Sequence, residues 1–173
     1  KNQQTAFVAL QVLRNFCGVE VDQEALAKGF EQVCSMTGLR GRWEVLSQAP
    51  LIVCDTGHNG HGMRQVAEQL SQLTEKTLHI VLGMVNDKDI SGVLAMLPKD
   101  AIYYFTKASV SRALDEKEVK RLANAAGLNG ETYPSVKEAY QNALASAHPD
   151  DFVFVGGSTF IVADLLSFFT DSF

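Results

Sequence analysis

Asp55-Thr56-Gly57-His58-Asn59 gathers a carboxylate, an imidazole and an amide into five residues. These are the groups that acid–base chemistry and the handling of anions use. They follow a short apolar run, Leu51-Ile52-Val53-Cys54, and precede an amphipathic segment starting near His61. That layout puts them where a strand gives way to a helix, and the carboxyl ends of strands are where open α/β sheets bind ligands. Further loops add similar groups: Gly83–Asp89 with Asn86, Asp87 and Lys88, then Thr106-Lys107, then Gly156-Gly157-Ser158-Thr159. If the strands before them run parallel, all four loops emerge at one sheet edge. Carboxylates, lysines, a hydroxyl and glycine-exposed backbone N–H groups at such an edge suit an anionic ligand. Arg42 lies just after Gly38-Leu39-Arg40-Gly41, where its forked donors can reach a phosphate.

Each group has a plainer reading. Asp55 can serve as a helix N-cap, and so can Ser158. His58 can be a structural hydrogen-bonding residue, and Lys88, set among acids, a solvated surface pair. Arg42 can lay its stem over Trp43. Cys54 stands near His58, but inside an apolar strand a thiol is expected in the core rather than as a nucleophile. His61, His79 and His148 are scattered and are assigned to no metal.

The elements that must position these residues alternate. Helices are expected over 3–16 and 22–33, with a glycine-interrupted linker over 38–42. Beyond it, strands are expected at Trp43–Leu46, Leu51–Asp55, Thr77–Leu82, Ala101–Phe105, Glu131–Tyr133 and Asp151–Val155. Helices are expected at 61–73, 89–97, 115–126, 135–146 and 158–169. The alternation indicates βαβ units: an α/β, Rossmann-like fold whose mostly parallel sheet is flanked by helices, after a short N-terminal helical segment.

Composition bounds the function. Of 173 residues, 46% are hydrophobic, enough for a well-packed domain. Twenty acids against 15 bases give a net charge of −5. No basic run exceeds two residues, so no nucleic-acid footprint is expected. No apolar stretch is long enough to span a bilayer, and no membrane association is expected. Three cysteines without metal-type spacing fit a reduced, cytoplasmic setting. Lys1 falls inside a helical pattern, which reads as a piece of a longer protein.

Taken in order, the motifs resemble the C-terminal domain of the Mur-ligase superfamily, and most of all its dihydrofolate synthase/folylpolyglutamate synthase branch. The family pattern is a Gly-Arg pair, a short strand, an apolar strand and Asp-x-Ala-His-Asn-Pro. Here it reads Gly41-Arg42-Trp43-Glu44-Val45, Leu51–Cys54 and Asp55-Thr56-Gly57-His58-Asn59-Gly60. A later Asp-Lys-Asp matches Asp87-Lys88-Asp89, and a closing Gly-Ser before an apolar helix matches Gly157-Ser158-Thr159-Phe160. The departures are Gly57 for Ala, Gly60 for Pro, and Arg40 where Pro is frequent. The resemblance assigns 39–173 to the C-terminal α/β domain. It assigns 1–38 to a helical remnant of the N-terminal ATPase domain plus linker, with Asn2-Gln3-Gln4-Thr5-Ala6 similar to a family helix start.

The resemblance implies an ATP-dependent amide-forming ligase that adds L-glutamate to dihydropteroate or a folate through an acyl phosphate. Arg42, Asp55 and Asn2 would contact ATP. His58 would stand near the γ-phosphate and the incoming glutamate as the catalytic group. Ser158 and Lys88 would lie toward the substrate. No Gly-x-x-x-x-Gly-Lys-Ser/Thr loop occurs in the chain. The phosphate loop and the Mg2+ ligands are therefore expected in the missing N-terminal domain, a monomer is the expected state, and this segment alone is expected to be inactive. Two alternatives stand beside this: a muramyl-peptide ligase C-terminal domain, and a non-catalytic nucleotide- or anion-binding module. A dinucleotide oxidoreductase is disfavoured because no Gly-x-Gly-x-x-Gly follows the first strand.

Overall fold

Strand runs such as Leu51–Cys54, Ile80–Leu82 and Phe152–Val155 carry no polar residue, and a strand apolar on both faces must be covered on both. The computed structural model, which describes residues 2–86 and 89–170, shows that arrangement. Six strands form one sheet: β1 (Glu44–Gln48), β2 (Leu51–Asp55), β3 (Leu78–Leu82), β4 (Ile102–Phe105), β5 (Gly130–Thr132) and β6 (Phe152–Gly156). Their spatial order is β1-β2-β6-β3-β4-β5. β1 pairs antiparallel with β2, and every other pairing is parallel.

Alternate residues of each strand feed two cores. Val53, Ile80, Leu82, Tyr103, Phe105, Phe152 and Phe154 pack with Met63, Val66 and Leu70 of α4 (Gly60–Leu70), Val93 and Leu94 of α5 (Ile90–Ala95), and Val119 and Ala123 of α6 (Glu116–Ala125). On the other face, Ile52, Cys54, Val81, Tyr104, Val153 and Val155 pack with Val136, Ala139 and Ala143 of α7 (Val136–Ser146). Ile161, Val162 and Leu165 of α8 (Thr159–Thr170) complete that core. Cys54 is fully buried there, so it packs as a small hydrophobe.

The helix starts follow local chemistry. Asn59, Asp89, Asp115 and Ser135 each accept a backbone N–H of the first turn of α4, α5, α6 and α7. The N-cap of α4 is thus Asn59 rather than Asp55. The expected strand at Trp43–Leu46 shifts to Glu44–Gln48, because Trp43 sits at φ 45°, outside the strand region.

The chain divides into two compact units, the second beginning at Gly41. The first holds α1 (Asn2–Cys17), α2 (Gln23–Glu31) and α3 (Val33–Thr37). The helix expected over 22–33 is interrupted at Gln32, whose φ of −111° leaves the helical region. None of residues 4–40 is buried, and Phe16 is 82% exposed. No helix among the described residues is long and apolar enough to cross a membrane.

Candidate active site at the switch point of the sheet

β2 and β6 are neighbours, yet the helices that follow them leave to opposite faces, α4 to one and α8 to the other. That divergence opens a crevice at their carboxyl ends, the place where doubly wound sheets hold ligands. The Asp55–Asn59 and Gly156–Ser158 loops flank it. Side chains are excluded from its floor. A Cβ on Gly157, at φ 91°, would stand 2.6 Å from the Gly83 carbonyl oxygen, and one on Gly156 would stand 2.8 Å from the Asp55 carbonyl oxygen. The loops after β2, β3 and β6 therefore meet backbone to backbone.

Asp55 organises the β2 end of the crevice. Its Oδ1 accepts the Gly57 N–H at 2.7 Å and its Oδ2 the Trp43 N–H at 2.8 Å. The second bond explains the backbone of Trp43. A left-handed conformation costs a bulky residue about 1–3 kcal/mol. A bond to a carboxylate contributes about 1.5–3 kcal/mol, and the indole packs against Phe152 and Phe154 at 6.3 and 6.1 Å between ring centroids. The two gains outweigh the strain, so the Gly41–Trp43 segment is held. Gly41 is required on the same account: at φ 72°, a Cβ there would meet Thr56 Cγ2 at 2.7 Å and Val162 Cγ1 at 2.9 Å. Its N–H donates to Glu44 Oε2 at 2.7 Å.

Arg42 and His58 meet on Thr56. The Arg42 Nη1 donates to the Thr56 hydroxyl, and His58 Nδ1 lies 3.0 Å from the Thr56 carbonyl oxygen. A carbonyl only accepts, so Nδ1 carries the proton and the neutral ring keeps its Nε2 lone pair for another partner. Arg42 and His58 are both exposed, while Thr56 between them is buried. The stem of Arg42 has no need of Trp43, whose ring faces the core.

The other expected site residues are placed as follows. Ser158 is buried at the start of α8 and its Oγ accepts the Phe160 N–H at 3.2 Å, so it does cap that helix. Its O–H proton remains for a further acceptor. Asn2 begins α1 in the first unit. Lys88, with Asp87, lies outside the described residues. Lys107, offered by the loop after β4, has its Nζ 2.7 Å from Glu116 Oε2 and 3.2 Å from Asp115 Oδ2. The hydrogen bond to Glu116, then that to Asp115, raises its pKa above the usual lysine value, and its charge is already matched. Among the described residues, no three His, Cys, Asp or Glu side chains cluster closely enough to hold a metal ion.

Residue-type reasoning passed over Thr56 and Glu44. A threonine at the variable position of Asp-x-Ala-His-Asn-Pro gives no signal by type, and Glu44 reads as an exposed strand residue. Only the fold shows that both brace the Gly41–Trp43 segment.

The family profile of the Mur ligase glutamate ligase domain matches residues 41–159, which include this whole crevice. The chain belongs to the Mur ligase family. The family likeness seen in Gly41-Arg42 and Asp55–Gly60 is thereby borne out, as is the mostly parallel α/β fold. This Mur ligase chain is 31% identical over 167 residues to the dihydrofolate synthase/folylpolyglutamate synthase of Escherichia coli K12, covering 95% of the chain and 37% of that protein. It superposes with a TM-score of 0.83 and 28% identity on E. coli FolC in complex with DHPP and ADP, covering 98% of this chain and 39% of that one. On a bifunctional folylpolyglutamate synthase/dihydrofolate synthase with Mn, AMPPNP and L-glutamate bound, the TM-score is 0.78 at 28% identity, covering 94% and 38%. The chain thus spans less than two fifths of the length of each.

Proposed function

We propose that this chain is the C-terminal part of an ATP-dependent ligase that adds L-glutamate to dihydropteroate or a folate. The observation that carries this reading is the meeting of Arg42 and His58 on Thr56 at the sheet's switch point, beside Asp55, whose carboxylate holds the Trp43 and Gly57 N–H groups. The structural relatives were solved with ADP, or with AMPPNP, manganese and L-glutamate, and that supports the same substrates here. In this reading the segment 39–173 is the ligase C-terminal domain. The helices before it belong with an N-terminal ATPase domain. Their exposed Phe7, Val8 and Phe16 suit burial against such a partner.

The chemistry runs in two displacements. An oxygen of the acceptor carboxylate attacks the γ-phosphorus of ATP, the β–γ bridging bond breaks, and ADP leaves with its electron pair. The glutamate amine then attacks the acyl carbon. The tetrahedral intermediate expels phosphate as the amine proton passes to a base. Arg42 offers its remaining N–H donors to the triphosphate, where charge builds as the γ-phosphoryl group transfers. Asp55 acts by holding the Arg42–Trp43 peptide and the Gly57 turn, with lone pairs left over for the nucleotide. His58, its Nδ1 committed to the Thr56 carbonyl, presents Nε2 to the amine as it loses its proton. Ser158 would steady the glutamate. A Mg2+ bound with ATP would neutralise phosphate charge, and its ligands would come from the N-terminal domain. Among the described residues no group of three His, Cys, Asp or Glu side chains is placed to hold it.

The test is glutamate-dependent ADP release in the complete enzyme, with dihydropteroate or a folate as acceptor. Arg42→Ala is expected to lower kcat/KM about 100-fold while the protein stays folded, which circular dichroism checks. Activity without dependence on glutamate, or an Arg42→Ala variant as fast as the parent, would overturn the assignment.

A further inference from the structure

We propose that Thr56 is the positioning residue that sets the Arg42 guanidinium against the nucleotide. The inference rests on the ligase reading above and deepens it at a position where the family pattern allows any residue. Four contacts meet on Thr56. Its hydroxyl accepts from Arg42 Nη1, and its N–H donates to the Gly41 carbonyl at 2.9 Å. Its methyl fills the space that a side chain on Gly41 would need. Its carbonyl takes His58 Nδ1 at 3.0 Å.

Thr56 is only 7% exposed, so its hydroxyl has little access to water. A buried hydroxyl must find its partner within the protein. Arg42, by contrast, is exposed, and a free arginine side chain samples many rotamers. Ordering it costs about 2 kcal/mol of entropy, and an anchor that fixes one N–H beforehand removes part of that cost from binding. The Thr56 main chain meanwhile holds His58, so one residue keeps the phosphate contact and the imidazole in register.

Three substitutions separate the hydroxyl from the rest. Thr56→Val keeps the shape and removes the acceptor. Thr56→Ser keeps the acceptor and removes the methyl. Arg42→Ala removes the group being positioned. Calorimetric titration of the complete enzyme with AMPPNP should show about three- to tenfold weaker binding for Thr56→Val, the range that the net contribution of one ordinary hydrogen bond spans. Thr56→Ser should bind within twofold of the parent even if it melts lower. On an Arg42→Ala background, Thr56→Val should add nothing to the loss. A purely structural role predicts the opposite pattern: equal losses for valine and serine, and an additive effect with Arg42→Ala. That pattern, or a Thr56→Val variant that binds like the parent, would overturn the role of Thr56 while leaving the ligase reading intact. No AMPPNP binding by the unsubstituted enzyme would overturn both.

Discussion

His58 shows how one contact orients a common residue. Its Nδ1 faces the Thr56 carbonyl at 3.0 Å, which selects the tautomer with Nε2 open. An exposed ring with that tautomer can accept a proton from an incoming amine, which a cation or an amide cannot do. His58→Ala is therefore expected to lower kcat about 100-fold, while AMPPNP affinity stays within threefold. The two are separated by measuring turnover at saturating ATP beside a nucleotide titration. A variant that loses nucleotide affinity but keeps its turnover would assign His58 to the phosphates instead. Asp55 acts differently: both of its oxygens already accept backbone N–H groups, so its first contribution is the shape of the loop.

At the level of elements, α4 carries the motif's departure from its family. Gly60 occupies the first helical position, after the N-cap Asn59. Proline is well tolerated there because that N–H has no helical acceptor. Asn59 already has the extended backbone (φ −118°, ψ 167°) that a residue before proline needs. A Cβ on Gly60 would meet only Asp89 Oδ2, at an ordinary 3.8 Å. Gly60→Pro is thus expected to stabilise the protein by about 0.5–1 kcal/mol, through the lower entropy of its unfolded chain. Urea unfolding measures this, and a lower midpoint would show that the turn before α4 needs glycine.

Across the whole molecule, the rim that carries the site is opposed by a polar knot at the other end of the strands. His79 is buried, with Nδ1 3.0 Å from the Tyr104 hydroxyl and Nε2 3.3 Å from Asp151 Oδ2. Asp151 also accepts the His148 N–H at 2.7 Å. That backbone bond first, and the His79 bond after it, lower the Asp151 pKa below the usual aspartate value despite burial. A carboxyl whose folded pKa is depressed contributes stability above its unfolded pKa near 4 and loses it as the pH falls through the folded value. Asp151→Asn is expected to destabilise the protein at pH 7, with the gap to the parent narrowing below about pH 4. Unfolding curves at pH 7 and pH 3 check it, and a gap that widens in acid would reverse the sign of the linkage.

The alternation of apolar runs with amphipathic segments was legible because each strand and helix must bury its own period of residues. That is a local property of the chain, and beyond Gly41 it gave the element order and the mostly parallel sheet to within a few residues. The family pattern was legible for a related reason: Asp55, His58 and Asn59 are close in sequence, so their spacing survives without a fold. Contacts between distant segments were not. Nothing near Thr56 in the chain announces Arg42, 14 positions away, as the donor to its hydroxyl. Nothing near Trp43 shows that a carboxylate 12 positions on would hold its N–H in a left-handed turn. The choice of Asn59 over Asp55 as the cap, and the loss of Lys107 to Glu116 and Asp115, were decided in the same way. Hydrogen bonds are short and directional, and which donors reach which acceptors is settled only when the sheet brings β1, β2 and β6 side by side.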